Sequence, residues 1–140
     1  MKNSILAVLT CLALFGCNNN KKQEKALLDS VIAIHDKMMS RDDQLMRNKM
    51  KLDTLLKSKL TGVADTAAEK VQLMGLNVQL TNAEDAMEKW MQKFDPDQKG
   101  KTHQQFMDYL TIQKAQVTGI DSSINEAINA STNYLNTLKK

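Results

Sequence analysis

The sequence predicts an all-α protein: an antiparallel up-down-up three-helix bundle with coiled-coil-like packing, behind an N-terminal lipoprotein signal peptide. Three observations predict it. The 140 residues hold one proline and five glycines, whereas the good helix formers Leu, Ala, Lys, Gln and Met dominate. Apolar residues recur in steps of three and four over three long stretches, the period of a helix that buries one face. Two short breaks with turn and capping signals separate these stretches.

The first element is an address. Met1-Lys2-Asn3 is a short positive start, Ile5 to Phe15 is nearly all apolar, and Gly16-Cys17 closes the run. Its length is about half the roughly 20 residues of a membrane-spanning helix, so it reads as the apolar region of a signal. Charge, apolar run, small residue and cysteine in that order form a bacterial lipoprotein signal over residues 1–16. The expected cut lies between Gly16 and Cys17, and Cys17 is the expected lipidation site, carrying a diacylglycerol thioether. An ordinary secretory signal cut nearby is the alternative. Residues 17–23 then form a polar, lipidated tether.

The bundle is expected over residues 24–140, with helices at about 24–60, 66–94 and 102–138. Leu28, Val31, His35, Met38, Leu45, Leu52 and Leu56 mark the first stripe, and Thr61-Gly62 supplies a stop. Thr66 with Glu69 matches a capping box that opens the second helix. Its stripe passes Leu73, Leu80, Met87 and Trp90 to Phe94, where Asp95-Pro96-Asp97-Gln98-Lys99-Gly100 interrupts. Thr102 with Gln105 repeats the capping pair, and the third stripe runs from Phe106 to Leu138. Short connections force sequential helices antiparallel. The rival is a helical hairpin whose third helix docks on another chain, because Asp42, Lys49 and Gln113 interrupt the stripes.

Register follows from the turns. If each turn is tight, His35 lies level with Trp90 and Met91, and these with Phe106. Met38 and Met39 then fall beside Met87. Trp90 is expected to be largely buried. Gly75 and Gly119 come out nearly level, where they either permit a close helix approach or are simply tolerated.

Composition narrows the function classes. Removing residues 1–16 takes Cys11 with it, leaving Cys17 as the lone cysteine and excluding a disulfide within the mature chain. Basic and acidic residues are interspersed and nearly balanced, 19 against 16 in the full chain, and no basic run or aromatic-basic interleaving suggests nucleic acid. Lys21, Lys22 and Lys25 cluster beside the anchor, as solvated tether lysines or as contacts to anionic lipid. No nucleotide loop, zincin motif or serine-hydrolase elbow appears, and the sequence predicts neither a cofactor nor a catalytic residue.

Two segments merit weighing for ligands. Thioethers and imidazole suit Cu(I), and His35, Met38, Met39, Met87 and Met91 converge at one end of the predicted register, with Trp90 able to cap a cation. Methionine at helical spacing ordinarily fills core space against aromatic rings, so packing is the favoured role and no metal site is predicted. The segment Asp95–Gly100 matches an EF-hand loop at its first, third and sixth positions. Lys99 and Phe106 stand where the fifth and twelfth require oxygen ligands, so it is expected to be a turn.

The segments Ile34-His35-Asp36-Lys37-Met38-Met39, Leu45-Met46-Arg47-Asn48-Lys49 and Ala86-Met87-Glu88-Lys89-Trp90-Met91-Gln92-Lys93-Phe94 resemble small uncharacterised lipoproteins of Bacteroidetes-type bacteria, often labelled "viral A-type inclusion protein". In that family a proline often follows the methionines where this chain has Ser40. The resemblance implies an anchored helical protein and nothing catalytic. In such bacteria an acidic patch after the lipidated cysteine accompanies export to the cell surface. Asn18-Asn19-Asn20-Lys21-Lys22 lacks one, which favours the periplasmic face of the outer membrane.

The expectation is therefore a non-enzymatic envelope lipoprotein, held to the lipid bilayer through Cys17. It would act through its helices on another envelope protein or on a second copy of itself. The alternative is a periplasmic small-ligand or soft-metal binder built on the His/Met/Trp cluster.

Overall fold

The computed structural model describes the backbone of residues 13–60 and 67–138, and the side chains of 19–58 and 67–138. These residues form an all-helical bundle of four segments: α1 (Ala13–Met39), α2 (Asp42–Leu60), α3 (Ala67–Lys93) and α4 (His103–Thr137). The signal sequence up to residue 12, the Thr61-Gly62 stop and the Thr66 cap lie outside the described residues. So does the side chain of Cys17.

The stretch expected as one helix over 24–60 is divided at Ser40-Arg41. Local competition for one carbonyl accounts for the break. In a continuous helix the Arg41 amide would donate to the carbonyl of Lys37. Instead it donates to Met38, while Lys37 receives the Ser40 hydroxyl at 2.7 Å and the Arg41 Nε at 3.2 Å. Asp42 and Asp43 then occupy the first turn of α2, where negative charge complements the helix dipole. The stretch expected as a tether, residues 17–23, continues α1 as helix. Glu24 is already buried at its end, clasped by Gln98 and His103.

Burial follows a seven-residue period. Val31, Met38, Leu45 and Leu52 are fully enclosed on α1 and α2, and the period crosses the break without slipping. Leu73, Leu80 and Met87 repeat it on α3, and Leu110, Val117, Ile124 and Ser131 repeat it on α4. A 3.5-residue recurrence is the signature of knobs-into-holes packing. α4 packs against all three other helices.

Polar pairs fix the heights. Glu24 meets His103, Arg41 meets Asp121 and Asn48 meets Ser131. Lys49 meets Glu84 and Asp53 meets Asn77. His35 reaches Met91 as expected, but Trp90 meets Gln113 rather than Phe106, a slip of two turns. The connection from α3 to α4 is the reason. It is an extended loop rather than a tight turn, so α4 starts beyond the end of α3. Its start is capped as expected: Thr102 accepts from the Gln105 amide while the Gln105 side chain accepts from the Thr102 amide.

Candidate functional site

His35, Trp90 and Met91 meet where α1 passes α3. A cleft of about 270 Å³ is lined by Ile32 and His35 from α1 and by Trp90, Met91 and Phe94 from α3 and its end. Heptad packing buries Trp90, whose Nε1 donates to Gln113 Oε1 at 2.8 Å. That bond gives the indole the polar partner a buried ring requires. It also explains Gln113, one of the residues that interrupted the apolar stripe. Phe94 stacks on Trp90 with centroids 4.8 Å apart, and Tyr109 continues the series at 6.4 Å from Phe94.

His35 closes the other side of the cleft, its ring 6.0 Å from the indole. The imidazole Nδ1 lies 3.1 Å from Asp36 Oδ1, and Nε2 lies 3.3 Å from the Met91 sulfur. A carboxylate only accepts, so a ring proton on Nδ1 would be donated to Asp36. In that neutral tautomer Nε2 presents a lone pair toward the thioether, and in the other it donates its N–H to the sulfur.

The five residues weighed as soft-metal ligands do not converge as a set. Met38 and Met87 are buried in the core, in the packing role expected of methionine. Met39 and Met91 are exposed at the surface, as are Met46, Met50 and Met74. The expected packing role thus holds for the buried residues and not for this outer set. Among the described residues, no three His, Cys, Asp or Glu side chains are placed to hold a metal ion.

Comparison of the chain with family models, curated proteins and solved structures finds no match. Function has to be read from the residues themselves.

Three buried polar clusters were not foreseen. Asn48 on α2 is enclosed among Ser131, Thr132 and the Ile128 carbonyl of α4. Asp121 on α4 receives both Arg41 and Lys37. Glu24 accepts from Gln98 at 2.9 Å and lies 2.6 Å from His103 Nδ1. The signal for them was present in their spacing: Glu24 stands seven residues before Val31, and Asn48 and Asp121 stand three or four residues from enclosed apolar neighbours. A polar residue at such an offset reads equally well as a surface residue until the partner helix is placed. Lys49, noted as an interruption, pairs with Glu84.

The Asp95–Gly100 segment is a turn. Asp95 accepts from the Asp97 amide and Asp97 from the Lys99 amide, each at 2.9 Å. Gly100 has φ +80°, a conformation glycine adopts without strain. Lys101 reaches the second Asp95 oxygen at 3.3 Å and the Asp97 carbonyl at 3.0 Å. The Asp97 amide first, and the Lys101 ammonium after it, hold the Asp95 carboxyl below its ordinary value of 3.8.

Gly75 and Gly119 create no close approach, since a methyl group at either would meet nothing within 4 Å. No helix of the described residues is long and apolar enough to cross a membrane.

Proposed function

We propose that this chain is a non-enzymatic lipoprotein of a bacterial cell envelope. It is an up-down-up three-helix bundle anchored through Cys17, and it works by presenting a helix face to another envelope protein or to a second copy of itself. One observation supports the interaction reading above others. Val71, Met74 and Val78 stand at helical spacing on the outer face of α3, and each is more than half exposed. A row of large apolar side chains kept in water is the pattern of a helix-docking surface.

Sequence order supports the address: a positive start, an apolar run, then Gly16-Cys17. Lys21 and Lys22 are exposed near the anchor, where they suit anionic headgroups. The periplasmic face of the outer membrane is the proposed location.

The test has two arms. Cys17→Ser should leave unprocessed precursor without acyl label; normal labelling would end the lipoprotein reading. A C-terminally tagged wild-type chain, cross-linked in intact cells, should give a defined adduct with itself or one other envelope protein. Val71→Ser/Met74→Ser/Val78→Ser should lose that adduct while keeping its helical content. An unchanged adduct would reject this face as the docking surface.

A further inference from the structure

We infer that His35 and Met91 form a binding site for a soft monovalent metal ion, Cu(I), with the Trp90 indole as its lid. This goes beyond the interaction role and does not depend on the anchor. The inference starts from a contact between two groups that both ligate soft metal ions. His35 Nε2 and the Met91 sulfur face each other at 3.3 Å. With the ring proton on Nδ1, opposite Asp36 Oδ1, Nε2 and the sulfur both offer lone pairs; with it on Nε2, the contact is an N–H···S hydrogen bond. In the first tautomer a cation between them satisfies both lone pairs. Thioether and imidazole together select a soft or borderline ion.

The geometry admits one. With bonds of roughly 2.0 Å to nitrogen and 2.3 Å to sulfur, as for imidazole and thiolate on a first-row ion, a 3.3 Å separation subtends about 100° at the metal. That angle leaves room for a further ligand. Met39 stands one turn beyond His35 on the same face of α1 and is exposed, so its thioether is the candidate for that ligand.

The surroundings fit as well. Asp36 against Nδ1 is the outer carboxylate that fixes a ligating imidazole and raises its basicity. The indole, centred 6.0 Å from the imidazole, adds a ring quadrupole that favours a nearby cation, and Phe94 stacked on it keeps the cleft apolar. Met91 itself is 37% exposed, so its sulfur is open to an incoming ion rather than filling the core.

The experiment uses the full chain in detergent, with Cys11→Ser and Cys17→Ser removing competing thiols. Cu(I) is titrated anaerobically against a chromophoric chelator while tryptophan emission is followed. Trp90 is the one tryptophan in the sequence, so its emission reports this site. One equivalent of Cu(I) should be withdrawn from the chelator with a parallel change in emission. Met91→Leu and His35→Gln should each abolish both signals, while Met50→Leu and Met74→Leu change neither.

Asp36→Asn guards against variants that merely disturb folding. Asp36 is exposed and outside the core, and losing it should weaken binding about 10–100-fold while leaving helical content unchanged. Absence of any competition with the chelator would overturn the inference. So would binding that persists, with the same emission change, in both ligand variants.

Discussion

Asn48 on α2 donates from Nδ2 to the Ser131 hydroxyl on α4 at 2.8 Å, with both residues sealed from water. The same amide group reaches Thr132 Oγ1 at 2.8 Å, and its oxygen accepts from Gln44 Nε2 at 2.9 Å. An amide enclosed at a seam position fixes register, because sliding one helix past the other would strand its donors in an apolar layer.

Asn48→Ala should therefore destabilise the bundle by about 1–3 kcal/mol, the cost of emptying a satisfied buried polar site. Asn48→Leu should retain or raise stability, since Ser131 keeps its own bonds to the Ala127 and Ile128 carbonyls. It should lose the uniqueness of helix register, visible as broadened core resonances. Urea unfolding and a methyl NMR spectrum check both; sharp, single-conformer spectra for Asn48→Leu would remove the register role.

The second prediction concerns the break between α1 and α2. Arg41 leaves the helix path and reaches Asp121, while Lys37 contacts the other carboxylate oxygen from a mostly exposed position. Arg41→Ala should cost about 1.5–3 kcal/mol, because a largely buried carboxylate loses its enclosed partner. Arg41→Ala/Asp121→Asn should cost less than the two single changes added together. A double-mutant cycle by urea denaturation measures the coupling, and strict additivity would show the pair to be energetically idle.

Gly75 and Gly119 lie within helices with open space beside them. Each replaced by Ala should raise stability by roughly 0.5–1 kcal/mol through helix propensity and a smaller unfolded-state entropy. Thermal unfolding followed by circular dichroism decides it. A loss of stability in either variant would mean that the glycine serves a contact outside this bundle.

The turn from α3 to α4 should respond to acid in a defined sense. Asp95 is exposed, and its carboxyl is held below 3.8, first by the Asp97 amide and then by Lys101. A depressed folded value means that its contribution to the turn is present above 3.8 and is lost as pH falls through the lower folded value. An NMR titration of the Asp95 carboxyl should give a midpoint below the ordinary one. Asp97→Ala leaves the backbone amide in place and should retain much of the depression, whereas Lys101→Gln should reduce it. A midpoint at or above 3.8 would contradict the hydrogen-bonded turn.

Helix class, the placement of the long stripes and the burial of Trp90 were legible in the sequence because each follows from local periodicity. Leu73, Leu80, Met87 and Trp90 announce their buried face through spacing alone. Thr102 and Gln105 announce a helix start because a capping box is a contact between near neighbours. The break at Ser40-Arg41 was not legible, since it carries neither glycine nor proline and arises from side chains taking one carbonyl. The two-turn slip of α4 past α3 was set by the path of the Asp95–Gly100 loop and by Trp90 finding Gln113. Asn48, Asp121 and Glu24 looked like surface residues because only a neighbouring helix supplies their partners. The outward methionines have the same origin, whereas the meeting of His35 with Met91 follows from the register read in the sequence. Local chemistry determines which residues form helices and which face is apolar. The heights at which those faces meet are fixed by long-range pairings, and with them the side chains that share a site.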